Sequence, residues 1–266
     1  MNIHILAAPG DHLTASDPDV VLATGRDSAP HLADFPGAQH ALLLTEMEDR
    51  RLTPGIPGAT DLYTLPVPIL VPAAWMAEQL TALRGPSAPP VRVVRPGLDP
   101  AFLTATAPPA RAAGAPLRVL VLGAGAELAA ALAAANAMRE PSLIRHAEPS
   151  ALAPEQRAEA YGDADVVLSL ARVAGLPLAP LEAFACGATV VATPVTGIDE
   201  YLVDGHNGLL AAWDDERGTA RALDLLARDR DRLHALQHAA RATARAWPSL
   251  ADADAALAAT LAELAA

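Results

Sequence analysis

The feature that most constrains this fold is the repeated alternation of short apolar runs with longer helical stretches. The run LRVLVLG (117–123) precedes AELAAALAAANAMRE (126–140), and DVVLSLA (165–171) precedes PLEAFACG (180–187). Short apolar runs bounded by turn residues are typical of strands buried on both faces. Helices between such strands indicate the crossovers of a parallel sheet. The sequence therefore predicts an α/β fold with parallel sheets.

Two such series occur along the chain. The first contains the apolar runs MNIHILAA, PDVVLATG and HALLLTE, one or two strands in TDLYTLPVPILV, the helical stretch AAWMAEQLTALRG and the strand VRVVRPG. The segment Thr104–Pro116 is rich in Ala, Pro and Thr and lacks periodicity, which is typical of a linker. We therefore predict Rossmann-like lobes over 1–103 and 116–247, joined by a linker at 104–115. A long helical stretch over 219–247 and a helix over 248–266 are predicted to end the chain.

Charge and composition exclude several functions. The formal net charge is -12, and all 19 basic residues are arginine. An acidic surface repels nucleic acid and anionic lipid, so small molecules or proteins are the expected partners. No run approaches the roughly 20 apolar residues of a membrane helix. The start MNIHILAAPGDH has no basic residue before its apolar run, which favours a cytoplasmic location over a signal peptide.

The single cysteine, Cys186, excludes an intrachain disulfide and a metal site with several cysteines. It lies in an apolar stretch, so we interpret it as a small buried residue rather than a nucleophile. No metal ligand set is predicted.

The first candidate site is the turn after LRVLVLG. Gly123 and Gly125 would let backbone N–H groups approach a phosphate at the start of a helix. The third glycine of a dinucleotide fingerprint is absent, because Leu128 stands there, and Glu127 would repel an anion. Three interpretations of this loop are possible. A plain tight turn is favoured first, a phosphate-binding loop second and an NAD-binding loop third.

Three further candidates follow the next strands. Arg172 ends the DVVLSLA strand and is either a phosphate ligand or a surface residue. Glu182 is either a helix-start residue or an acceptor for ribose hydroxyls. Thr196 and Gly197 open a helical turn whose N–H groups could hold a diphosphate.

The segment 164–210, ADVVLSLARVAGLPLAPLEAFACGATVVATPVTGIDEYLVDGHNGLL, resembles the C-terminal lobe of family 4 retaining glycosyltransferases. The flanking VRVVRPGLDPAFL is similar to the segment that joins the two lobes in this family. The closing ARAWPSLADADAALAATL is similar to its final crossover helices, which implies that the helix over 248–266 crosses back to the first lobe. The N-terminal stretch from DVVLATG to WMAEQL resembles a bacterial subgroup that includes rhamnosyltransferase-like enzymes.

The resemblance implies a GT-B fold, in which two Rossmann-like lobes face a cleft, with a shortened N-terminal, acceptor-side lobe and the donor on 116–247. It implies transfer of a sugar from a nucleotide-diphosphate-sugar donor with retention, and no metal or other cofactor. The family's two glutamates, separated by seven residues, fall on Ala174 (the sugar side) and Glu182 (the ribose side). The remaining predicted substrate-binding residues are Gly175, Leu178, Leu181, Thr196, Gly197, Gly123 and Gly125.

The chain departs from the family pattern at charged positions. A methyl group at Ala174 cannot accept a hydrogen bond from a sugar hydroxyl. The family's Arg and Lys, which neutralise the diphosphate, have no counterparts near Gly123–Glu127. We predict that Arg172 and Arg26 act as catalytic residues in their place. His4, His12 and the Glu46–Glu48 stretch are weaker candidates for assisting from the first lobe.

Two hypotheses of different classes result. The first is an active hexosyltransferase that uses a glycan, a lipid-linked molecule or a small molecule as acceptor. The second is a degenerate GT-B protein that binds a nucleotide sugar, or a partner glycosyltransferase, without turnover. A dinucleotide-dependent oxidoreductase is a distant third, because the Gly123 loop lacks the fingerprint.

Overall fold

The structure, a computed structural model, describes residues 3–6, 18–47, 59–105, 114–172 and 175–265. The chain forms two compact units: unit 1 is Met1–Gly97 with Ala251–Ala266, and unit 2 is Leu98–Leu250. None of the helices in the described ranges is long and apolar enough to cross a membrane.

Unit 1 is built on a parallel sheet whose five strands follow chain order. All four residues of its second strand, Val20–Ala23, are fully buried, as expected for a parallel sheet covered on both faces. Val20 and Leu22 pack with Leu261 of the last helix. The elements are β1 (Ile3–Leu6), β2 (Val20–Ala23), β3 (Gln39–Leu43), α1 (Ala59–Thr64), β4 (Ile69–Val71), α2 (Ala74–Arg84), β5 (Val91–Val93) and α9 (Leu250–Ala265).

The stretch TDLYTLPVPILV, for which the sequence predicts one or two strands, contains one. Its first part belongs to α1 and Ile69–Val71 forms β4, so the alternative of two strands is wrong. Leu62 and Tyr63 are consecutive and both buried, which a helix allows and the strict alternation of a half-exposed strand does not. Pro66 and Pro68 follow the helix and separate it from β4.

Unit 2 contains the second parallel sheet, in the order β10-β9-β8-β6-β7. Both predicted parallel sheets are therefore confirmed. The strands are β6 (Leu117–Leu122), β7 (Ser142–Ala147), β8 (Val166–Ser169), β9 (Thr189–Ala192) and β10 (Leu209–Leu210). The helices are α3 (Pro100–Leu103), α4 (Gly125–Asn136), α5 (Pro154–Gly162), α6 (Leu178–Ala185), α7 (Glu216–Arg228) and α8 (Arg230–Ala246).

The two faces of this sheet support different cores. On β6, Leu120 and Leu122 belong to a cluster with residues of α5, α6 and α8. Val119 and Val121, which alternate with them, belong to a cluster with residues of α4, α7 and α8. Because successive side chains of a strand point to opposite faces, alternate residues of this apolar strand pack against helices on the two sides of the sheet.

The long C-terminal helical stretch is divided in two at Asp229. The backbone of Asp229 is not helical (φ −100°, ψ 85°), and its N–H donates to Leu225 at the end of α7. Its carboxylate accepts a hydrogen bond from the backbone N–H of Arg232, 2.9 Å away, at the start of α8. One aspartate therefore ends α7 and caps α8, which the single predicted helix missed.

The unit boundary lies after Gly97, whereas the sequence placed it at 103 with a linker at 104–115. Phe102 of α3 is buried in unit 2, with its ring centroid 6.2 Å from that of Tyr161. Residues 106–113 lie outside the described residues. At the boundary, the N–H of Leu98 donates to the carbonyl of Pro248 (2.9 Å), and the N–H of Leu250 donates to the carbonyl of Leu98 (3.0 Å).

Candidate functional site

The sheet of unit 2 reverses its direction of growth at β6. β7 pairs with one side of β6, and β8, the next strand along the chain, pairs with the other. Ligands of open α/β sheets bind outside the carboxyl ends of the strands at such a reversal. The register aligns Leu122 with Ser169 and Ser169 with Ala192. The loops that follow these residues form what we call the switch edge: Gly123–Gly125, Leu170–Arg172 and Thr193–Gly197.

The loop Gly123–Gly125 connects β6 to α4. Its two glycines have φ values of 130° and 55°, which only glycine adopts without strain. A Cβ atom on Gly125 would meet no atom within 4 Å, so backbone conformation rather than space requires glycine there. Ala124 provides no side-chain cap for α4. The first N–H groups of the helix therefore favour an anion at this position.

Glu127 lies in the first turn of α4 and faces the loop after β8. Its carboxylate accepts a hydrogen bond from the backbone N–H of Arg172, at 3.0 Å. This bond joins the first turn of α4 to the loop after β8. A carboxylate at this position opposes the anion preference of the neighbouring N–H groups.

The guanidinium of Arg172 forms an ion pair with the carboxylate of Asp214, through Nη2 and Oδ1. The two side chains are 56% and 69% exposed. An ion pair this exposed contributes about 0–1 kcal/mol to stability. Asp214 therefore holds Arg172 only weakly, and another anion can replace it.

A cavity of about 110 Å³ opens at the switch edge. Arg172 is the one cationic side chain among its lining residues, against four carboxylates, and Trp213 contributes an aromatic ring. In the described part of the chain, no group of three or more His, Cys, Asp or Glu side chains is arranged to hold a metal ion. The cavity is lined by Glu127, Ala130, Leu170, Arg172, Thr193, Ala212, Trp213, Asp214, Asp215, Glu216 and Thr219.

The predicted substrate-binding residues of α6 have different environments. The helix begins at Leu178, two residues before the predicted start at Pro180, and Leu178 is half-buried. The Leu181 side chain is fully buried in the core, so we assign it a packing role instead of a ligand contact. Gly175 is buried just before the helix. Ala174 lies outside the described residues.

Glu182 is buried within unit 2 and forms a closed polar cluster. Arg157 donates from Nη2 to Oε1 (3.0 Å) and from Nε to Oε2 (3.1 Å). The hydroxyl of Tyr161 donates to Oε2 at 3.2 Å. Both carboxylate oxygens therefore have partners within the protein, and the charge is neutralised by a bidentate arginine.

The environment of this cluster alters several pKa values. Burial raises the pKa of the Glu182 carboxyl, and Arg157 opposes that shift. Burial also raises the pKa of the Tyr161 hydroxyl, with the charge of Glu182 adding to it. The Cys186 thiol pKa rises to about 12, again because of burial and then Glu182. Cys186 is fully buried, as predicted, and carries no reactive thiolate at neutral pH.

The turn at Thr196–Gly197 leads into a 3₁₀ helix at Ile198–Glu200, which matches the predicted helical turn. Gly197 has φ 87°, in the left-handed region. The N–H of Ile198 already donates to the carbonyl of Val195 (3.2 Å). Asp199 and Glu200 add negative charge at the start of this turn. The turn is therefore a weaker anion site than the Gly123–Gly125 loop.

The candidates of the first lobe lie in unit 1. Arg26 follows β2, so the two predicted catalytic arginines belong to different units. His4 is buried in β1, with its ring 5.3 Å from that of Phe35. His12 and Glu48 lie outside the described residues.

Residues 98–229 match the family described as glycosyl transferases group 1. This chain belongs to that family. In sequence, 105 residues are 41% identical to a D-inositol 3-phosphate glycosyltransferase from Stackebrandtia nassauensis, and they cover 38% of this chain and 23% of the relative. A second enzyme of that name, from Corynebacterium urealyticum, is 38% identical over 93 residues, or 33% of this chain and 22% of its own. The matched stretches thus span less than a quarter of either relative.

Solved structures of this glycosyltransferase fold are similar over nearly the whole chain. A sucrose-phosphate synthase from Thermosynechococcus elongatus has a TM-score of 0.76 at 15% identity, covering 93% of this chain and 74% of its own. Anabaena HepE in complex with UDP-glucose has a TM-score of 0.73 at 14% identity, and the match covers 92% of this chain and 79% of HepE. The GT-B fold predicted from the sequence is therefore confirmed.

Sequence reasoning missed Arg157, Tyr161 and Asp214. Arg157 and Tyr161 are four residues apart on α5, and this spacing alone would have placed them on one helix face. Their partner Glu182 is 25 residues from Arg157, so only the fold brings them together. Asp214 is 42 residues from Arg172, and no local pattern predicts that pair.

Proposed function

We propose that this chain is a retaining glycosyltransferase, which moves a sugar from a nucleotide-diphosphate-sugar donor to an acceptor hydroxyl. Family membership over 98–229 carries the proposal, because that range includes all three loops of the switch edge. The sequence relatives are named as glycosyltransferases, and a structurally similar protein was crystallised with UDP-glucose. A uridine-diphosphate sugar is therefore the first donor to test.

The donor diphosphate would occupy the switch edge of unit 2. Backbone N–H groups at Gly123–Gly125 and the guanidinium of Arg172 are the groups suited to bind it. The Thr196–Gly197 turn is a secondary contact, and Gly175 and Leu178 would face the sugar. A carboxylate oxygen accepts more than one hydrogen bond, so Glu182 could still accept from ribose while bound to Arg157.

The chemistry needs little from the protein beyond position and charge. The bond from the anomeric carbon to the diphosphate breaks, and the acceptor oxygen forms the new bond on the same face. The acceptor proton passes to an oxygen of the leaving diphosphate. Arg172 would stabilise the charge that develops on that leaving group, and losing one such preorganised group costs about 3 kcal/mol of barrier. Arg26 remains a proposed contributor from unit 1.

A catalytically degenerate nucleotide-sugar binder is the second candidate. Four carboxylates surround Arg172 in the cavity, which weakens its support for a diphosphate leaving group. Ala174 also replaces the family's sugar-side glutamate. Binding without turnover, or with a partner glycosyltransferase supplying activity, is the outcome that would favour this candidate.

The test begins with binding and then measures turnover. The purified chain is titrated with UDP, GDP, ADP and their glucose conjugates, and thermal stabilisation reports occupancy of the folded state. Release of UDP from UDP-glucose, with and without added acceptors, then measures transfer and hydrolysis. Stabilisation by one nucleotide together with release supports the enzyme, and stabilisation without release supports the binder. No stabilisation at millimolar ligand contradicts both.

The matched control for this test is Arg145. Its guanidinium pairs with Asp163 at 3.1 Å, and the two side chains are 67% and 57% exposed, close to the values for Arg172 and Asp214. Arg172→Gln should weaken nucleotide stabilisation, and Arg145→Gln should not. Equal effects would mean that loss of surface charge, rather than the switch edge, causes the change.

A further inference from the structure

We propose that Asp214 competes with the donor diphosphate for Arg172, so that its carboxylate occupies the diphosphate position until the donor displaces it. This inference rests on the proposed function, because it concerns the same site. It makes Asp214 a positioning residue that sets donor affinity through Arg172.

The backbone at Asp214 is unusual. With φ 57°, it is the one non-glycine residue with a positive φ among the residues that the structure describes. Asparagine and aspartate tolerate this conformation better than other residues, but it still carries a cost. From this left-handed turn the carboxylate of Asp214 meets the guanidinium of Arg172.

The other carboxylates of the cavity have different tasks. Asp215 caps α7 by accepting a hydrogen bond from the N–H of Gly218 at 2.7 Å. Glu216 lies in the first turn of α7, where a negative charge suits the helix dipole. Glu127 accepts from the backbone N–H of Arg172. Asp214 is thus the carboxylate of this cavity that occupies the Arg172 guanidinium.

The exposed geometry makes displacement possible. The side chains of Arg172 and Asp214 are both more than half exposed. Their ion pair therefore contributes little free energy and is screened by salt. A diphosphate carries more charge than one carboxylate and has several acceptor oxygens, so it is the stronger partner for a guanidinium. The carboxylate therefore lowers donor affinity without blocking it.

The test is Asp214→Asn, which removes the charge and keeps a residue that tolerates the left-handed conformation. The dissociation constants of UDP and of inorganic pyrophosphate are measured by calorimetry at low salt and at high salt. We expect the variant to bind about two- to five-fold more tightly at low salt, the factor that corresponds to an exposed pair, with the gain shrinking at high salt. For UDP-glucose turnover, KM should fall by the same factor while kcat stays unchanged.

Two controls separate this effect from a general change in charge or structure. Asp163→Asn removes the matched carboxylate beside Arg145 and should leave both constants at their original values. In an Arg172→Gln background, Asp214→Asn should lose its effect, which a merely structural role would not predict.

The outcomes also separate this inference from the proposed function. UDP binding of equal strength in the original chain and in Asp214→Asn would overturn the competition and leave the proposed function intact. Tighter pyrophosphate binding by the variant, with no UDP binding by either protein, would support the competition and overturn the nucleotide site. No binding of either probe to either protein would overturn both.

Discussion

The two sheets of this molecule have the same number of parallel strands but differ in strand order. In unit 1 the described strands follow the chain, β1 to β5, and the sheet grows in one direction. In unit 2 the sheet grows from β6 to β7 and then reverses to β8, β9 and β10. Only a reversal opens a crevice between the connections at the carboxyl ends of two adjacent strands. Strand order, rather than composition or strand number, is therefore the basis on which we propose the ligand site in unit 2.

Two buried or partly buried charged groups are paired within unit 2. Unit 2 encloses the cluster of Glu182, Arg157 and Tyr161 beneath α6, next to the helix start that faces the switch edge. In the same unit, the carboxylate of Asp165 accepts from the backbone N–H of Arg118 (2.9 Å) and from its guanidinium (2.8 Å). Removing one member of such a group leaves a buried charge without its partner.

The largest expected effect is therefore that of Glu182→Ala. Breaking a buried pair of this kind costs about 3 kcal/mol, so unit 2 should unfold at a clearly lower urea concentration. Chemical denaturation followed by circular dichroism measures the change. The loss should be smaller for Glu182→Gln, which keeps the volume and an acceptor oxygen. A Glu182→Ala protein with original stability and weakened UDP binding would instead make ribose contact the main role of this residue.

Arg172 and Arg26 give the sharpest test of the difference in strand order. Arg172→Gln should weaken UDP binding about tenfold, because it removes a charged hydrogen-bond donor at the reversal. Arg26→Gln, in the unit without a reversal, should weaken UDP binding less than Arg172→Gln does. Calorimetric titration of both variants checks this. Equal losses would show that the site depends on both units.

Two glycines allow the same comparison through the backbone. Gly125 (φ 55°) in the switch edge and Gly85 (φ 78°) after α2 both have open space where a Cβ would stand. Alanine should cost about 1 kcal/mol at Gly125 from conformation alone, and about 1–3 kcal/mol at Gly85, whose ψ of 173° places it in a region that essentially only glycine adopts. Only Gly125→Ala should also weaken UDP binding. Melting temperatures measure the loss of stability in the two variants, and titrations with UDP measure their affinity. Weaker UDP binding by Gly85→Ala would contradict the placement of the site at the switch edge.

The smallest expected effect is the reactivity of Cys186. Burial holds its pKa near 12, above the ordinary value for a thiol, so little thiolate forms in the folded state at pH 8. Labelling by a thiol reagent should be very slow at pH 8 and fast in urea. Because the folded pKa is the higher one, this thiol stabilises unit 2 below about pH 8.5, and that contribution declines as the pH rises toward 12. Cys186 is the only cysteine of the chain, so the labelling rate reports the opening of unit 2 alone.

The sequence predicted strands and layers better than connections between elements. Apolar runs such as LRVLVLG predicted β6 correctly, because continuous apolarity is sufficient for a strand buried on both faces. Of the one or two strands predicted in TDLYTLPVPILV, the structure has one. Aromatic and β-branched residues in its first part favour strands locally, but the fold uses a helix there. The helix break at Asp229 has a local sequence signal, because an aspartate before an amphipathic stretch is typical of a helix start. The continuous arginine-rich helical pattern on both sides of Asp229 favoured a single helix instead.

The candidate site was predictable only in part. Gly123, Gly125 and Arg172 follow strands, and a parallel sheet brings strand ends to one edge, so their proximity followed from the sequence. The engagement of Arg172 by Asp214, and of Glu182 by Arg157, depends on strand order and helix position. Strand order and helix position are set by packing across the whole unit. No local sequence pattern predicts these two pairs.

The paired backbone at Leu98 and Pro248–Leu250 has a consequence for modularity. The two points where the chain enters and leaves unit 2 are hydrogen-bonded neighbours. Unit 2 is a single continuous segment, whereas unit 1 is assembled from both ends of the chain. This is the arrangement of an inserted domain, whose adjacent termini allow it to be excised, closed on itself or transplanted with little loop entropy to overcome. Unit 2 can therefore be exchanged as one continuous segment, while unit 1 keeps both of its own segments.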